Sequence, residues 1–328
     1  MKVFVVGAGA VGTYLGELLR GIGNEVVYAP RDPAAVAPVE ADLALVAVKS
    51  YDTGSAIETL RSARCTTGQT TILTVQNGVG NEELLAAAFG ADTVVSAALT
   101  VPVDRDASGK GIAAKEGGGI AFAPVGTTSP HNWILAAFGT TGLPTRAVAD
   151  YRALKWSKLA LNVVANASCA ILDMTPQQLV REDEVFAWEI RAMREVKAVM
   201  KACNIPTIDL PRYPVRALHR IASLPTPVSR GLLGPRIAEA RGEKPPSLLL
   251  DLRAARHRTE VDVLNGAVVR AGREAGVPTP INACLARLVN DIAHMPQTWA
   301  KYRERPEALV AEIKAEVNRR RVKGVLPA

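Results

Sequence analysis

Cysteine is scarce and scattered in this chain of 328 residues: Cys65, Cys169, Cys203 and Cys284 lie far apart and form no Cys-x-x-Cys pair. That distribution argues against a structural zinc site and a disulfide framework, and a reducing compartment is the natural reading. Long apolar runs are missing too. The opening MKVFVV sets a lysine before four apolar residues that end at Gly7, too short and too soon glycine-punctuated for a signal peptide. No segment approaches the roughly 20 uninterrupted apolar residues of a membrane helix. A soluble, cytoplasmic protein without a membrane partner is expected. No internal repeat, low-complexity tract or metal-ligand spacing occurs, so no metal is expected, and His131, His219, His257 and His294 receive no catalytic role.

What is present is an ordinary globular composition, 48% hydrophobic and 22% charged, in a chain longer than one hydrophobic core usually serves. Two domains are therefore expected. The net charge of +7 comes from basic residues spread along the chain, with one concentration, KAEVNRRRVKG, at 314–324. Such a short basic stretch reads as a solvated helix end, and no nucleic-acid partner is expected.

Residues 2–6, 25–29, 43–48, 70–75 and 93–99 are rich in Val, Ile and Leu without strict polar alternation. Runs of that kind suit strands of a parallel sheet buried on both faces. Between them YLGELLRGIG, GSAIETLRSA and NEELLAAAFG space their apolar residues as helices do. The alternation predicts an α/β fold, a Rossmann-type doubly wound parallel sheet over residues 1–149. The glycine-rich stretch from about 100 to 148 predicts an irregular or antiparallel part of that sheet. Strand signals then stop, and residues 150–328 predict a mostly α-helical second domain, with helices at 151–172, 177–203, 229–241, 259–275 and 280–293.

KVFVVGAGAVGTYLGELL reads as strand, tight turn and helix, with Gly7, Gly9 and Gly12 in G-x-G-x-x-G spacing. Gly7 permits the turn, Gly9 lets backbone approach a pyrophosphate, and Gly12 lets helix pack closely on strand, which together predict dinucleotide binding. An acid at the end of the second strand would favour NAD. Here VVYAPRD places Arg31, whose planar fork matches a 2′-phosphate, so NADP is expected; Asp32 beside it leaves NAD open.

The helix predicted at 151–172 carries Lys158, Asn162 and Asn166 at i, i+4 and i+8 in almost wholly apolar surroundings. On one continuous helix they would share a face. A polar stripe so narrow calls for hydrogen-bonding partners, which a bound polar ligand would supply; the solvated side of an amphipathic helix, or a contact to another helix, would also account for it.

VAVKSYD around Lys49, TVQNGVGNEE around Asn77, LKWSKLALNVVANASCAI around Lys158, PPSLLLD around Ser247, RTEVDVLNGAVV around Glu260 and AGVPTP before Ile281 occur in that order. Together they resemble the ketopantoate reductase (2-dehydropantoate 2-reductase) family. The resemblance implies Lys158 as general acid, Asn162, Asn166 and Ser247 as contacts to substrate oxygens, Glu260 as an organiser of substrate or cofactor ribose, and Lys49 and Asn77 as neighbours of the nicotinamide and its ribose. Thr259 and Asp262 also fit a capping box, in which Glu260 would only favour a helix start. Asp251, one turn after Ser247, is either its orienter or a surface acid.

Three departures stand out. Only 10 residues separate Arg31 from Asp42, so a peripheral strand region should be missing; Asp251 and Glu260 lie nine apart, one more than is usual; and the stretch from Ile205 to Ser247 is long. The reaction implied is hydride transfer from NADPH to the keto carbon of 2-dehydropantoate, giving pantoate. A reductase of another 2-oxo acid, an opine-type dehydrogenase and a non-catalytic NADP(H) sensor are the alternatives. The sensor reading predicts loss of the Lys158, Asn162, Asn166, Ser247 and Glu260 set, and all five are present. An apolar helical second domain is compatible with a homodimer without establishing one.

Overall fold

The computed structural model describes residues 1–65, 70–115, 117–127 and 132–322; His131 and the last two residues of the basic stretch lie outside them. The chain divides into two compact units, Met1–Lys158 with Ile208–Pro214, and Leu159–Thr207 with Val215–Ala328.

The first unit runs β1 (Lys2–Val6), α1 (Ala10–Gly21), β2 (Glu25–Tyr28), β3 (Leu43–Val46), α2 (Thr53–Ser62), β4 (Thr71–Thr74), α3 (Asn81–Phe89) and β5 (Val94–Leu99). It continues through β6 (Val103–Arg105), β7 (Gly111–Ala113), β8 (Ile120–Pro124), α4 (Asn132–Thr140) and β9 (Thr145–Ala147) into α5 (Tyr151–Asn162). The main sheet is ordered β2-β1-β3-β4-β5-β8-β9. Its first five strands are parallel, whereas β8 runs antiparallel to β5 and carries β9 parallel to itself. The glycine-rich stretch thus supplies the antiparallel end of the sheet, plus a separate β6–β7 hairpin.

Alternation along the strands explains the two-sided burial. Val3 and Val5 join Leu15, Leu19, Leu45 and Phe138 on one face, while Phe4 and Val6 join Leu60, Ile72 and Leu85 on the other. Both faces are apolar because helices cover both, so each of these side chains contributes roughly 1.5–3 kcal/mol by leaving water. Between Arg31 and Asp42 only a 3₁₀ turn forms, Pro33–Ala35, and β2 is left as the sheet's edge, in keeping with the short link.

The second unit is helical: α6 (Ala167–Leu172), α7 (Pro176–Leu179), α8 (Asp183–Ala202), α9 (Val215–Ala222), α10 (Thr226–Arg241), α11 (Ser247–Arg253), α12 (Asn265–Glu274), α13 (Pro280–His294) and α14 (Pro306–Val322). The buried face of α13 packs on α6, α8, α12 and α14. The basic stretch does end a helix, with Arg319 and Arg320 paired to Glu316 on α14. Among the described residues no helix is long and apolar enough to cross a membrane.

Four features differ from the sequence expectation. The predicted helix at 151–172 is two helices, because Ala165 takes φ +50° and the Glu189 carboxylate accepts from the Ala165 N–H at 2.7 Å and from the Ser168 hydroxyl. Helices α9 and α11 form where none was expected, α11 being short and α9 flanked by proline segments, while α14 begins at Pro306, before the basic stretch read as a helix end. The change of pattern at 149/150 falls just before α5, and the compact units part within that helix. Finally, 208–214, in the proline cluster, belongs to the first unit: Ile208 N–H donates to Ser157 Oγ at 2.9 Å, Arg146 donates to the Asp209 carbonyl at 2.8 Å, and Thr100 donates to the Pro211 carbonyl at 3.0 Å.

Candidate active site

The cofactor residues expected from sequence gather at one edge of the first unit's sheet. Gly7 follows the carboxyl end of β1, Arg31 that of β2, Lys49 that of β3 and Asn77 that of β4. In open α/β sheets this carboxyl edge is where ligands bind. The glycine loop fits a dinucleotide. Gly7 holds φ +109°, and a Cβ on Gly12 would lie 2.0 Å from the Gly7 carbonyl oxygen, so loop and helix approach closer than any side chain allows. Around Gly9 the space is open, since a Cβ there would meet only the Arg105 guanidinium, at 4.0 Å. Bare backbone at the start of α1 is the surface a pyrophosphate needs.

Arg31 is exposed, and the neighbouring acid is engaged locally: Asp32 Oδ1 accepts from the Ala34 N–H at 2.9 Å and caps the 3₁₀ turn. Lys49 and Asn77 are half-buried and their loops are joined. Ser50 Oγ donates to the Asn77 carbonyl at 2.9 Å, and Asn81 Nδ2 donates to the same oxygen at 3.0 Å. Thr53 links Asn81 Oδ1, at 2.9 Å, to Gln76 Nε2, also at 2.9 Å. This polar cluster extends to α5. Lys155 donates to the Gln76 carbonyl and pairs with Glu82 at 3.0 Å, and Glu82 accepts from Ser96 at 2.8 Å.

Lys158 stands one turn beyond Lys155 on α5, half-buried, so the helix that grips the Gln76–Asn77 turn also carries the proposed proton donor. Asn162 ends that helix at i+4 and is half-buried. Asn166 leaves the stripe, because the break after Asn162 makes it the N-cap residue of α6. Its Oδ1 accepts from the Leu248 N–H at 3.3 Å, which brings it beside Ser247, the first residue of α11. Within the second unit the sequence-separated pair Asn166 and Ser247 is thus united.

Glu260 is buried in a 3₁₀ turn, Glu260–Val263, capped by Thr259, whose hydroxyl accepts from the Val261 N–H. The capping box with Asp262 does not form; Asp262 accepts from Asn290 instead, at 2.8 Å. Asp251 is buried and paired with Arg256 at 3.1 Å, so it is no surface acid. Sequence reasoning missed the buried Lys155, Glu82, Gln76 and Thr53 cluster. A second lysine inside the apolar helix and a glutamate in the Asn77 motif were its visible signals.

A backbone cradle at the carboxyl edge of a parallel sheet, followed by a helical unit, defines the class of NAD(P)-dependent oxidoreductases. Comparison with known proteins narrows the class. The ketopantoate reductase PanE/ApbA family model matches residues 20–126, and the model of that family's C-terminal part matches 150–293. The chain belongs to the ketopantoate reductase family. It is 27% identical to 2-dehydropantoate 2-reductase of Archaeoglobus fulgidus over 316 residues, 89% of this chain and 97% of that protein. The Halobacterium salinarum protein of the same name is 28% identical over 330 residues, 88% of this chain and 98% of the relative. Among solved structures, a ketopantoate reductase of the PanE/ApbA family from Ralstonia eutropha JMP134 aligns with TM-score 0.74 and 29% identity, over 90% of this chain and all of that one, 100%. D-mandelate dehydrogenase in complex with NADH shares the fold at TM-score 0.73 and 19% identity, over 89% of this chain and 99% of that one.

Proposed function

We propose that this chain reduces 2-dehydropantoate to pantoate with NADPH. The observation that carries the reading is that Lys49 and Asn77 lie in the stretch matched by one family model, and Lys158, Asn162, Asn166, Ser247 and Glu260 in the stretch matched by the other. Residues 1–149 are then the cofactor domain and 150–328 the substrate domain of a cytoplasmic enzyme, whose apolar helical second domain is compatible with a homodimer.

NADPH, when bound, would supply the hydride. Gly7, Gly9 and Gly12 hold its pyrophosphate, Arg31 reads the 2′-phosphate, and Lys49 and Asn77 orient the nicotinamide riboside. Negative charge develops on the substrate's keto oxygen as the carbonyl is reduced, and the Lys158 ammonium stabilises that charge and donates the proton. Asn162 and Ser247 hold the hydroxyl and carboxylate oxygens. Because the Asn166 side-chain Oδ1 already accepts from the Leu248 N–H, what Asn166 offers a substrate oxygen is its Nδ2 donor. Glu260 accepts from a hydroxyl. These are positioning contributions, which lower the barrier by fixing reactants in place.

The test follows NADPH absorbance with a panel of 2-oxo acids, with and without amines. 2-Dehydropantoate is expected to give the highest kcat/KM. Turnover of another acid alone would overturn the substrate, a requirement for amine would favour an opine-type dehydrogenase, and binding without turnover of any acid would favour a sensor. Light scattering reads the assembly.

A further inference from the structure

The β6–β7 hairpin lies against α1, and it is fastened there more tightly than a surface hairpin needs to be. Gly111, the first residue of β7, has no room for a side chain: a Cβ would sit 1.8 Å from the Ala10 carbonyl oxygen and 2.7 Å from the Tyr14 nitrogen. Its N–H donates to Thr13 Oγ1 at 2.7 Å, and that hydroxyl donates to the Gly9 carbonyl at 2.8 Å. A relay of two hydrogen bonds therefore ties the hairpin to the glycine loop itself.

Arg105 is the cross-strand partner of Gly111, so the same fastening fixes where Arg105 emerges. Its Nη2 donates to the Ala8 carbonyl at 3.1 Å and, among the described residues beyond Gly9's own chain neighbours, lies nearest a Cβ built on Gly9, at 4.0 Å. Guanidinium carries five N–H donors in a planar fork, and Ala8 takes one. The open space at Gly9 is thus bordered by the loop's backbone on one side and by an exposed, fixed cation on the other. Gly7, Gly9 and Gly12 bring no charge of their own, so the diphosphate's two negative charges would otherwise meet only N–H dipoles.

We propose that Arg105 is a cofactor-binding residue of this chain, placed by the β6–β7 hairpin to donate to the diphosphate bridge of the dinucleotide. The assignment rests on the dinucleotide reading of the glycine loop and adds to it a residue outside the G-x-G-x-x-G motif. It differs from the role given to Arg31, because the diphosphate is common to NADPH and NADH whereas the 2′-phosphate is not.

The experiment titrates wild type and Arg105→Met with NADPH, NADH, ADP-ribose and adenosine 2′-monophosphate, by nucleotide fluorescence or calorimetry, with a melting curve of each unliganded protein. Removing a charge-assisted hydrogen bond should raise Kd roughly 10- to 100-fold. The factor should be the same for NADPH, NADH and ADP-ribose, which share the diphosphate, and near one for adenosine 2′-monophosphate, which lacks it. Arg105→Lys should recover part of the loss. Unchanged affinities in Arg105→Met, or an equal loss for adenosine 2′-monophosphate, would overturn the assignment, the latter by showing that Arg105 only braces the loop. Wild-type protein that binds neither dinucleotide would overturn the dinucleotide reading together with this one.

Discussion

Lys155 and Glu82 form an ion pair at 3.0 Å with 3% and 1% of their side-chain surfaces exposed. The pair joins α5 to α3, and the Lys155 ammonium also holds the Gln76 carbonyl, next to Asn77. Its geometry does two jobs. It satisfies charges that could not otherwise be buried, and it fixes the turn that presents Asn77.

Removing one member should cost more than removing both. Lys155→Met leaves the Glu82 carboxylate buried with Ser96 as its remaining partner among the hydrogen bonds described, and should destabilise the protein by about 3–5 kcal/mol. The double variant Lys155→Met with Glu82→Gln should recover much of that loss. Urea denaturation of the two variants is the measurement; a double variant no more stable than the single one would show that packing, not charge, dominates there.

Gly9 and Gly12 should respond oppositely to alanine. At Gly12 the added Cβ meets the Gly7 carbonyl oxygen at 2.0 Å, so Gly12→Ala should displace α1 from β1 and lower Tm by several degrees or prevent folding. At Gly9 the space is open, so Gly9→Ala should melt like wild type yet lose dinucleotide affinity at least tenfold, about 1.4 kcal/mol. Tight NADPH binding by a folded Gly9→Ala protein would mean that the diphosphate does not approach this backbone.

The sheet was legible because period and burial agree: Val3 and Val5 face one layer, Phe4 and Val6 the other, and a two-sided apolar strand needs no long-range information. The helix break before Asn166 was not legible. Nothing local forces φ positive at Ala165; the Glu189 carboxylate on α8 takes its N–H, and a partner 24 positions away is invisible to periodicity. The site was readable in part for the same reason. Gly7, Lys49 and Asn77 follow strand ends, which sequence locates, while the approach of Asn166 to Ser247 depends on how helices pack. Arg105 was hidden because a short hairpin gives no strong pattern, and its location follows from Gly111 packing on α1.

Cofactor preference should depend on Arg31. Asp32 Oδ1 accepts from the Ala34 N–H and caps the turn, while the neighbouring Arg31 guanidinium is exposed just past the carboxyl end of β2. Arg31→Ala should weaken NADPH by about 1.5–3 kcal/mol and NADH far less. Fluorescence titration with both cofactors decides, and equal losses would remove Arg31 from recognition of the 2′-phosphate.

His219 should make the fold acid-sensitive. Burial, helped by the nearby Lys197 charge, lowers its pKa from 6.5 to about 4, and Nδ1 is 3.1 Å from Thr207 Oγ1. The neutral ring is the form that folding favours, so its stabilising contribution is complete above pH 6.5 and is lost as pH falls through about 4. The two-and-a-half-unit difference corresponds to about 3 kcal/mol at most. Urea midpoints between pH 7 and 4 should fall more steeply for wild type than for His219→Leu. Parallel profiles would assign the acid sensitivity to other groups.

Lys158 is the residue on which the proposed chemistry turns. It shares α5 with the buried Lys155 one turn earlier and with Asn162 one turn later, but unlike Lys155 it is only half-buried, as a proton donor to substrate must be. If its ammonium stabilises the developing alkoxide and supplies the proton, Lys158→Ala should lower kcat by roughly 10²–10⁴-fold, or about 3–5 kcal/mol of barrier. NADPH affinity should change little if, as proposed, the phosphates are held at the glycine loop and at Arg31. Lys158→Arg should keep the positive charge without giving up a proton at neutral pH, and so should restore only part of the rate. Single-turnover hydride transfer, a cofactor titration and a melting curve on each variant separate chemistry from binding and from folding. A folded Lys158→Ala protein that binds NADPH and reduces substrate at near wild-type rate would take Lys158 out of the mechanism and leave Asn162 beside a lysine of purely structural use.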